Sequence, residues 1–247
     1  VRLALAGVAL GASLALTACG SVSLDPVARA ADKTVNQGSG HVTLTASIGS
    51  GAEVVQLSGD GDFQTKPALG AMTMTVRGSG IDSTMDEVLS GSTIYMRSPL
   101  FASALPAGKS WLSVDLQRFG KRFGIDFNQL AQQSPADALE SLKKNASVTK
   151  VGAETIDGTP TTHYRALVDV SRLSPKLQQA TDLKTLPVDV WIDDSGLVRR
   201  LSESYTVSES GRSLPTTLRM LFSNYGEPVD VQVPSADETL DMTKLGG

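Results

Sequence analysis

The sequence predicts an α+β protein built on a single antiparallel sheet. Stretches in which apolar and polar residues alternate with a period of two recur along most of the chain. Gly, Asp and Ser clusters separate them at hairpin spacing, and only a few short segments carry a helical period. With 247 residues, 40% hydrophobic, 19% charged and a mean hydropathy of −0.03, the chain is too mixed for a polytopic membrane protein and too apolar to be wholly disordered. A net charge of −4 argues against a nucleic-acid partner. One cysteine and two histidines, His41 and His163, leave no disulfide framework and no thiolate-rich zinc site, so no metal and no cofactor is expected.

Arg2 precedes an apolar, charge-free run from Leu3 to Ala18 that stops at the only cysteine, Cys19. The run is shorter than the roughly 20 residues that span a bilayer. A basic start, an apolar middle and small residues before a cut point read as a secretory signal peptide over 1–18. Leu16-Thr17-Ala18-Cys19-Gly20 resembles the bacterial lipobox, which implies cleavage before Cys19 and a diacylglyceryl group on its sulfur. A buried structural cysteine is the competing reading, and the apolar leader speaks against it. Residues 19–25 then form a lipidated tether, and 26–247 a single domain outside the cytoplasm. Acyl chains worth about 0.8 kcal/mol per buried CH₂ would hold it on the membrane without a spanning helix.

Asp25-Pro26 reads as a helix start, and Val27, Ala30, Ala31, Thr34 and Val35 recur at helical spacing until Gln37-Gly38. The period then changes to two. Strands are predicted at Val42 to Ile48, Val54 to Phe63, Met72 to Gly78, Thr84 to Leu89, Thr93 to Arg97 and Trp111 to Leu116. Gly59-Asp60-Gly61, Gly78-Ser79-Gly80 and Ser90-Gly91-Ser92 read as separators in a meander. Ser134-Pro135-Ala136-Asp137 starts a helix with Leu139 and Leu142 on one face. Strands resume at Val148 to Ile156 and Thr161 to Val170, around the turn Asp157-Gly158. Ser174-Pro175 opens a short helix, and strands Val188 to Asp193, Leu197 to Val207 and Leu214 to Ser223 follow. Glu227 to Gly247 reads as an extended, Pro-interrupted tail.

Long flexible apolar side chains share one strand face in Met72, Met74 and Val76, in Ile94 and Met96, and in Leu218, Met220 and Phe222. Two readings stay open for these eight: ordinary core, or the lining of an apolar cavity. The low aromatic content, 5%, leaves few large rings to fill a wide sheet, and any spare volume could accept an acyl chain. Phe119, Phe123 and Phe127 lie four apart among Arg118, Lys121 and Arg122. They read as a helix packed on the sheet, as a lip over a cavity, or as a patch touching anionic headgroups.

Catalytic signals are sparse. No Gly-x-Ser-x-Gly elbow, P-loop or dinucleotide fingerprint occurs, and neither histidine sits in a recognisable nucleophile or metal arrangement. His163 reads as a surface residue. Asp193-Asp194-Ser195-Gly196 reads as a hairpin turn rather than a calcium loop. The chain is not expected to be an enzyme.

The lipobox, the short first helix, the meander, the helical insert and the hairpin Val188-Asp-Val-Trp-Ile-Asp-Asp-Ser-Gly-Leu-Val-Arg-Arg-Leu201 together resemble the actinobacterial LppX/LprG-type lipoproteins of the LolA-like group. The strand Trp111-Leu-Ser-Val-Asp115, after Pro106-Ala-Gly-Lys-Ser110, adds to the resemblance, which covers roughly Leu24 to Asp241. It implies a curved antiparallel β half-barrel with helices packed on its concave side, enclosing an apolar cavity that carries lipids or lipidated glycans across the envelope. No catalytic residue transfers. The expected function is a membrane-anchored extracytoplasmic lipoprotein that binds and carries a lipid or glycolipid acyl chain. The alternative is an envelope sensor or regulatory lipoprotein that binds a protein partner.

Overall fold

The computed structural model describes residues 26–118, 146–169, 184–209 and 212–242. The expected signal peptide and tether at 1–25, the expected ridge of Phe119, Phe123 and Phe127, and the helices expected after Ser134 and Ser174 lie outside the described residues.

Pro26 opens helix α1 (Pro26–Val35), whose Val27, Ala30, Ala31 and Thr34 form one buried stripe. Twelve strands follow: β1 (Ser39–Ile48), β2 (Val55–Gln64), β3 (Leu69–Gly78), β4 (Ile81–Ser90), β5 (Thr93–Arg97), β6 (Trp111–Asp115), β7 (Ala146–Ile156), β8 (Thr159–Asp169), β9 (Thr185–Asp193), β10 (Val198–Glu209), β11 (Arg212–Ser223) and β12 (Thr239–Asp241). A four-residue helix α2 (Pro99–Ala102) links β5 to β6, with the Ser98 hydroxyl accepting from the Leu100 N–H at its start.

All twelve strands join one open, curved sheet in the order β12-β6-β5-β4-β3-β2-β1-β11-β10-β9-β8-β7. Every pairing is antiparallel except that of β12 with β6. Local sequence sets the hairpins. Ser79-Gly80 and Asp157-Gly158 each place two successive residues at positive φ, the two-residue turn whose twist matches the flanking strands. Asp193 to Gly196 is a turn as expected: the Asp193 carboxylate accepts from the Leu197 N–H at 2.9 Å and from Arg199 Nε at 2.6 Å.

The architecture is more strand-dominated than the expected α+β half-barrel. The one long helix among the described residues is α1, packed on β9 and β10. Two readings of the chain's punctuation change. Gly59-Asp60-Gly61 is not a separator but the middle of β2. The tail is extended over much of its length, but it ends in β12 at the sheet edge, beside β6 rather than beside the last long strand.

The core lies between α1 and one sheet face. Val27, Ala30 and Ala31 meet Val42, Ala166, Val168, Leu186, Val188, Val190, Leu201, Met220 and Phe222, all buried. Each fully buried Val, Leu or Phe side chain contributes roughly 1.5–3 kcal/mol relative to exposure. The buried side chains of α1 and of this half of the sheet are therefore the main source of the fold's stability.

Candidate ligand-binding face

The strand register places all eight sequence-predicted apolar residues on a single face. One rung runs Phe222–Val42–Gly61–Met72–Glu87–Met96–Leu112 across β11, β1, β2, β3, β4, β5 and β6. The next runs Val190–Leu201–Met220–Leu44–Gly59–Met74–Met85. A third runs Val188–Glu203–Leu218–Ala46–Leu57–Val76–Ser83, and Ile94 lies between Leu89 and Val114 in a fourth. Because side chains alternate with period two, every residue in these rungs points to the same side as the α1 core.

The eight do not share one environment. Met220 and Phe222 are 5% and 2% exposed and belong to the core under α1. Met72, Met74, Val76, Ile94, Met96 and Leu218 are half-buried. The structure adds Met85, Leu57, Leu112 and Val114 to the half-buried set, and strand alternation alone could have found them.

Gly59 and Gly61 shape this surface. A Cβ on Gly61 would lie 2.2 Å from the Ala71 carbonyl oxygen and 2.9 Å from Met72 Cβ, and one on Gly59 would lie 2.9 Å from Met72 Sδ. The two missing side chains let β3 and its methionines close over β2, where any larger residue would push them away.

Two carboxyls interrupt the apolar face, and sequence reasoning missed both. Glu87 stands between Met72 and Met96, and Glu203 between Val188 and Leu218. Burial pushes both carboxyls above the usual carboxylate range, and burial and the Glu203 charge push the nearby Tyr205 phenol up as well. Neither glutamate makes a hydrogen bond or ion pair among the described residues.

The opposite face carries clusters of hydrogen-bonded polar groups, with Arg200 Nε buried and without a hydrogen-bond partner among the described residues. His163, 7% exposed, is buried and not the surface residue expected, because β7, β9 and the Trp191 ring enclose it. Its Nδ1 lies 3.0 Å from Glu154 Oε1 and its Nε2 2.8 Å from Asp189 Oδ1, while Trp191 stacks on it at 4.2 Å and Arg200 covers Trp191 at 4.1 Å. Trp191 Nε1–H donates to Glu154 at 2.9 Å, the main reason that carboxyl is held below its usual range, with His163 adding to it. Burial pushes the Asp189 carboxyl up, but hydrogen bonds from Arg165 and His163 outweigh it and hold the group low. His41 stands between Asp62 at 2.8 Å and Asp60 at 3.1 Å; burial pulls it down, and the two aspartates outweigh that and raise it. A depression of about 490 Å³ beside α2, holding the Asp86–Arg97 ion pair at 2.8 Å, also opens on the polar side, away from the methionines. Among the described residues no group of three or more His, Cys, Asp or Glu is arranged to hold a metal ion. No described helix is long and apolar enough to cross a membrane.

An open antiparallel sheet with one half-covered apolar face defines the class of fold, and the fold of LprF agrees with it. The crystal structure of LprF from Mycobacterium bovis superposes with a TM-score of 0.52 at 16% identity, covering 85% of this chain and 96% of that one. The lipoprotein LppX of Mycobacterium tuberculosis gives 0.49 at 19% identity, over 84% of this chain and 100% of that one. The LppX_LprAFG lipoprotein family model matches residues 134–231, and with the LprF fold this bears out the LppX/LprG-type resemblance. A 31.2 kDa Streptomyces griseus protein encoded between rplA and rplJ is 27% identical over 208 residues, 72% of this chain and 67% of its own length. A Streptomyces coelicolor protein with a lipoprotein designation is 30% identical over 143 residues, 56% of this chain and 44% of its own length.

Proposed function

We propose that the chain is a lipoprotein anchored through Cys19 on the extracytoplasmic side of the cell membrane, and that its apolar sheet face binds and carries the acyl chains of a lipid or glycolipid. The observation that carries this reading is the set of half-buried residues on β2 to β6. Leu57, Met72, Met74, Val76, Met85, Ile94, Met96 and Leu112 share one sheet face, interrupted by Glu87, beside the buried core. A contiguous group of half-exposed apolar side chains on a protein surface is the mark of a binding site. Methionine suits it because its unbranched, polarisable side chain repacks around chains of differing length and unsaturation. Selection between acyl chains is then weak, since one methylene more or less in an apolar site is worth only about 1–3 kcal/mol. The LppX_LprAFG match and the lipoprotein designation of the S. coelicolor relative support the anchored, envelope setting.

The test is mass spectrometry of the full chain purified from an actinobacterial host, read twice: intact, for acyl additions at Cys19, and after organic extraction, for co-purifying lipid. A stoichiometric extractable lipid is expected. A chain that yields none, and that also fails to take up a fluorescent fatty-acyl probe, overturns the carrier reading.

A further inference from the structure

The apolar face finishes differently at its two ends. At one end lie the loops 49–54 and 79–80. There Ile48, opposite Val55, and Ile81, opposite Gly78, carry the apolar face out into solvent, 46% and 43% exposed. Leu100 of α2, 68% exposed, stands at the same end, since its helix is tied to β4 through the Ser98 hydroxyl and the Thr84 carbonyl at 2.8 Å. Leu167, 42% exposed, lies two residues from the end of β8 there, on the opposite face with His163 and Arg165. At the other end the face is shut by aromatic rings: a Cβ on Gly40 would lie 3.1 Å from both Phe63 and Tyr225, and the Tyr225 hydroxyl donates to the Val198 carbonyl. The turns at that closed end display Asp157, Asp194 and Glu227, all exposed. None of the strongly exposed large apolar side chains among the described residues sits in them.

We propose that the Ile48–Ile81 end of the sheet rests on the bilayer and is the mouth through which an acyl chain passes between the membrane and the methionine face. This rests on the anchored-carrier reading above. An exposed apolar rim is stabilised by the acyl and headgroup boundary. From the rim inward β1, β2 and β3 offer apolar steps at every second residue: Ile48, Ala46 and Leu44 on β1, Val55 and Leu57 on β2, Val76, Met74 and Met72 on β3. A chain entering there exchanges lipid contacts for protein contacts without crossing water. Residues 19–25 place Pro26 within about 24 Å of a lipidated Cys19, at most 3.3–3.6 Å per residue. That leash holds the domain against the membrane, and the surface composition of the two ends then selects which one touches.

The experiment uses the full lipidated chain in vesicles of phosphatidylcholine and phosphatidylglycerol that contain brominated lipid. A thioether at Cys19 leaves a single introduced thiol free for a polarity-sensitive fluorophore, placed by Ile81→Cys in one protein and Asp194→Cys in another. The label at 81 should be quenched at least ~3-fold more than that at 194, as apolar insertion of one end requires. Equal quenching, or stronger quenching at 194, in protein that floats with the vesicles overturns the proposal and leaves the anchored reading standing. Protein that neither floats nor carries an acyl mass at Cys19 overturns the anchored reading and the proposal with it. As a second measurement, the double variant Ile48→Asp, Ile81→Asp should still co-purify with lipid but move a fluorescent acyl probe between vesicles ~10-fold more slowly, because the mouth is now charged. Transfer at the unmodified rate overturns the proposal.

Discussion

Along one face of one sheet, two halves with the same strand chemistry meet different fates. On β8 to β11 and β1, helix α1 lies over the face, and Val188, Val190, Leu201 and Phe222 are at most 2% exposed. On β2 to β6 the continuing rungs, Met72, Met74, Val76, Met85 and Met96, are only half-buried. Composition follows the cover. The closed half is rich in β-branched residues with few rotamers, which pack one way. The open half is rich in methionine, which packs many ways. The difference teaches that alternation assigns a residue to a face, whereas its role on that face depends on what lies above it.

Charge separates the halves most sharply. Met220→Lys, in the rung with Leu201 and Val190, buries an unpaired ammonium in the closed half and should cost about 4 kcal/mol or more, enough to unfold many domains of this size. Met74→Lys, one rung position beyond Gly59 in the open half, should cost about 1 kcal/mol and yet abolish lipid co-purification. Urea unfolding with lipid extraction on both variants checks the pair. Equal destabilisation would erase the distinction between the halves.

Truncation gives the next largest contrast. Phe222→Ala should lower stability by about 3–5 kcal/mol, and Met96→Ala, half-exposed, by about 1 kcal/mol, both read from denaturant midpoints. The hinge between the halves is Gly61, opposite both Val42 and Met72. Its Ala variant must move the β3 backbone, so a loss of about 2 kcal/mol is expected together with weaker uptake of a fluorescent acyl probe. A Gly61→Ala protein with unaltered stability and uptake would show that the close β2–β3 approach does not shape the site.

Much of this was legible in the sequence, and the exceptions have physical causes. The bounds of β5 were met to the residue, and most other strands within a few residues, because alternation and hairpin turns are local signals. The pairing of β1 with β11 and of β12 with β6 is set by contacts between distant segments, which no local pattern carries. Gly59-Asp60-Gly61 looks like a turn because glycine serves both turns and close backbone approach, and only the neighbouring strand distinguishes them. His163 looked exposed for a similar reason. A polar strand face holds a buried histidine when carboxylates and a tryptophan close over it, and here Glu154 comes from β7 while Asp189 and Trp191 come from β9, both separate strands from that of His163. Among the eight candidate site residues, alternation found the common face but could not separate Met220 and Phe222, under α1, from the six that stay half-buried.

The two carboxyls on the apolar face give the finest test of the comparison, since each half holds one. Burial raises both Glu203, in the closed half beside Val188 and Leu201, and Glu87, in the open half between two methionines. A raised carboxyl binds its proton more tightly in the folded chain than in the unfolded one. Its effect on stability is therefore absent below the unfolded value of about 4.3, grows unfavourable as pH rises through the window up to the folded value, and is constant above that. Replacing the group by a neutral isostere removes the penalty. Glu203→Gln should thus stabilise the protein by roughly 1 kcal/mol at pH 7, and the gain should vanish near pH 4. Glu87→Gln should give a smaller gain with the same pH dependence, because its half-buried neighbours leave more access to water. Unfolding midpoints of both variants from pH 3.5 to 7.5 measure this. An equal gain at both positions would mean that the open half excludes water as fully as the closed one, and the methionine face would then be a core rather than a site.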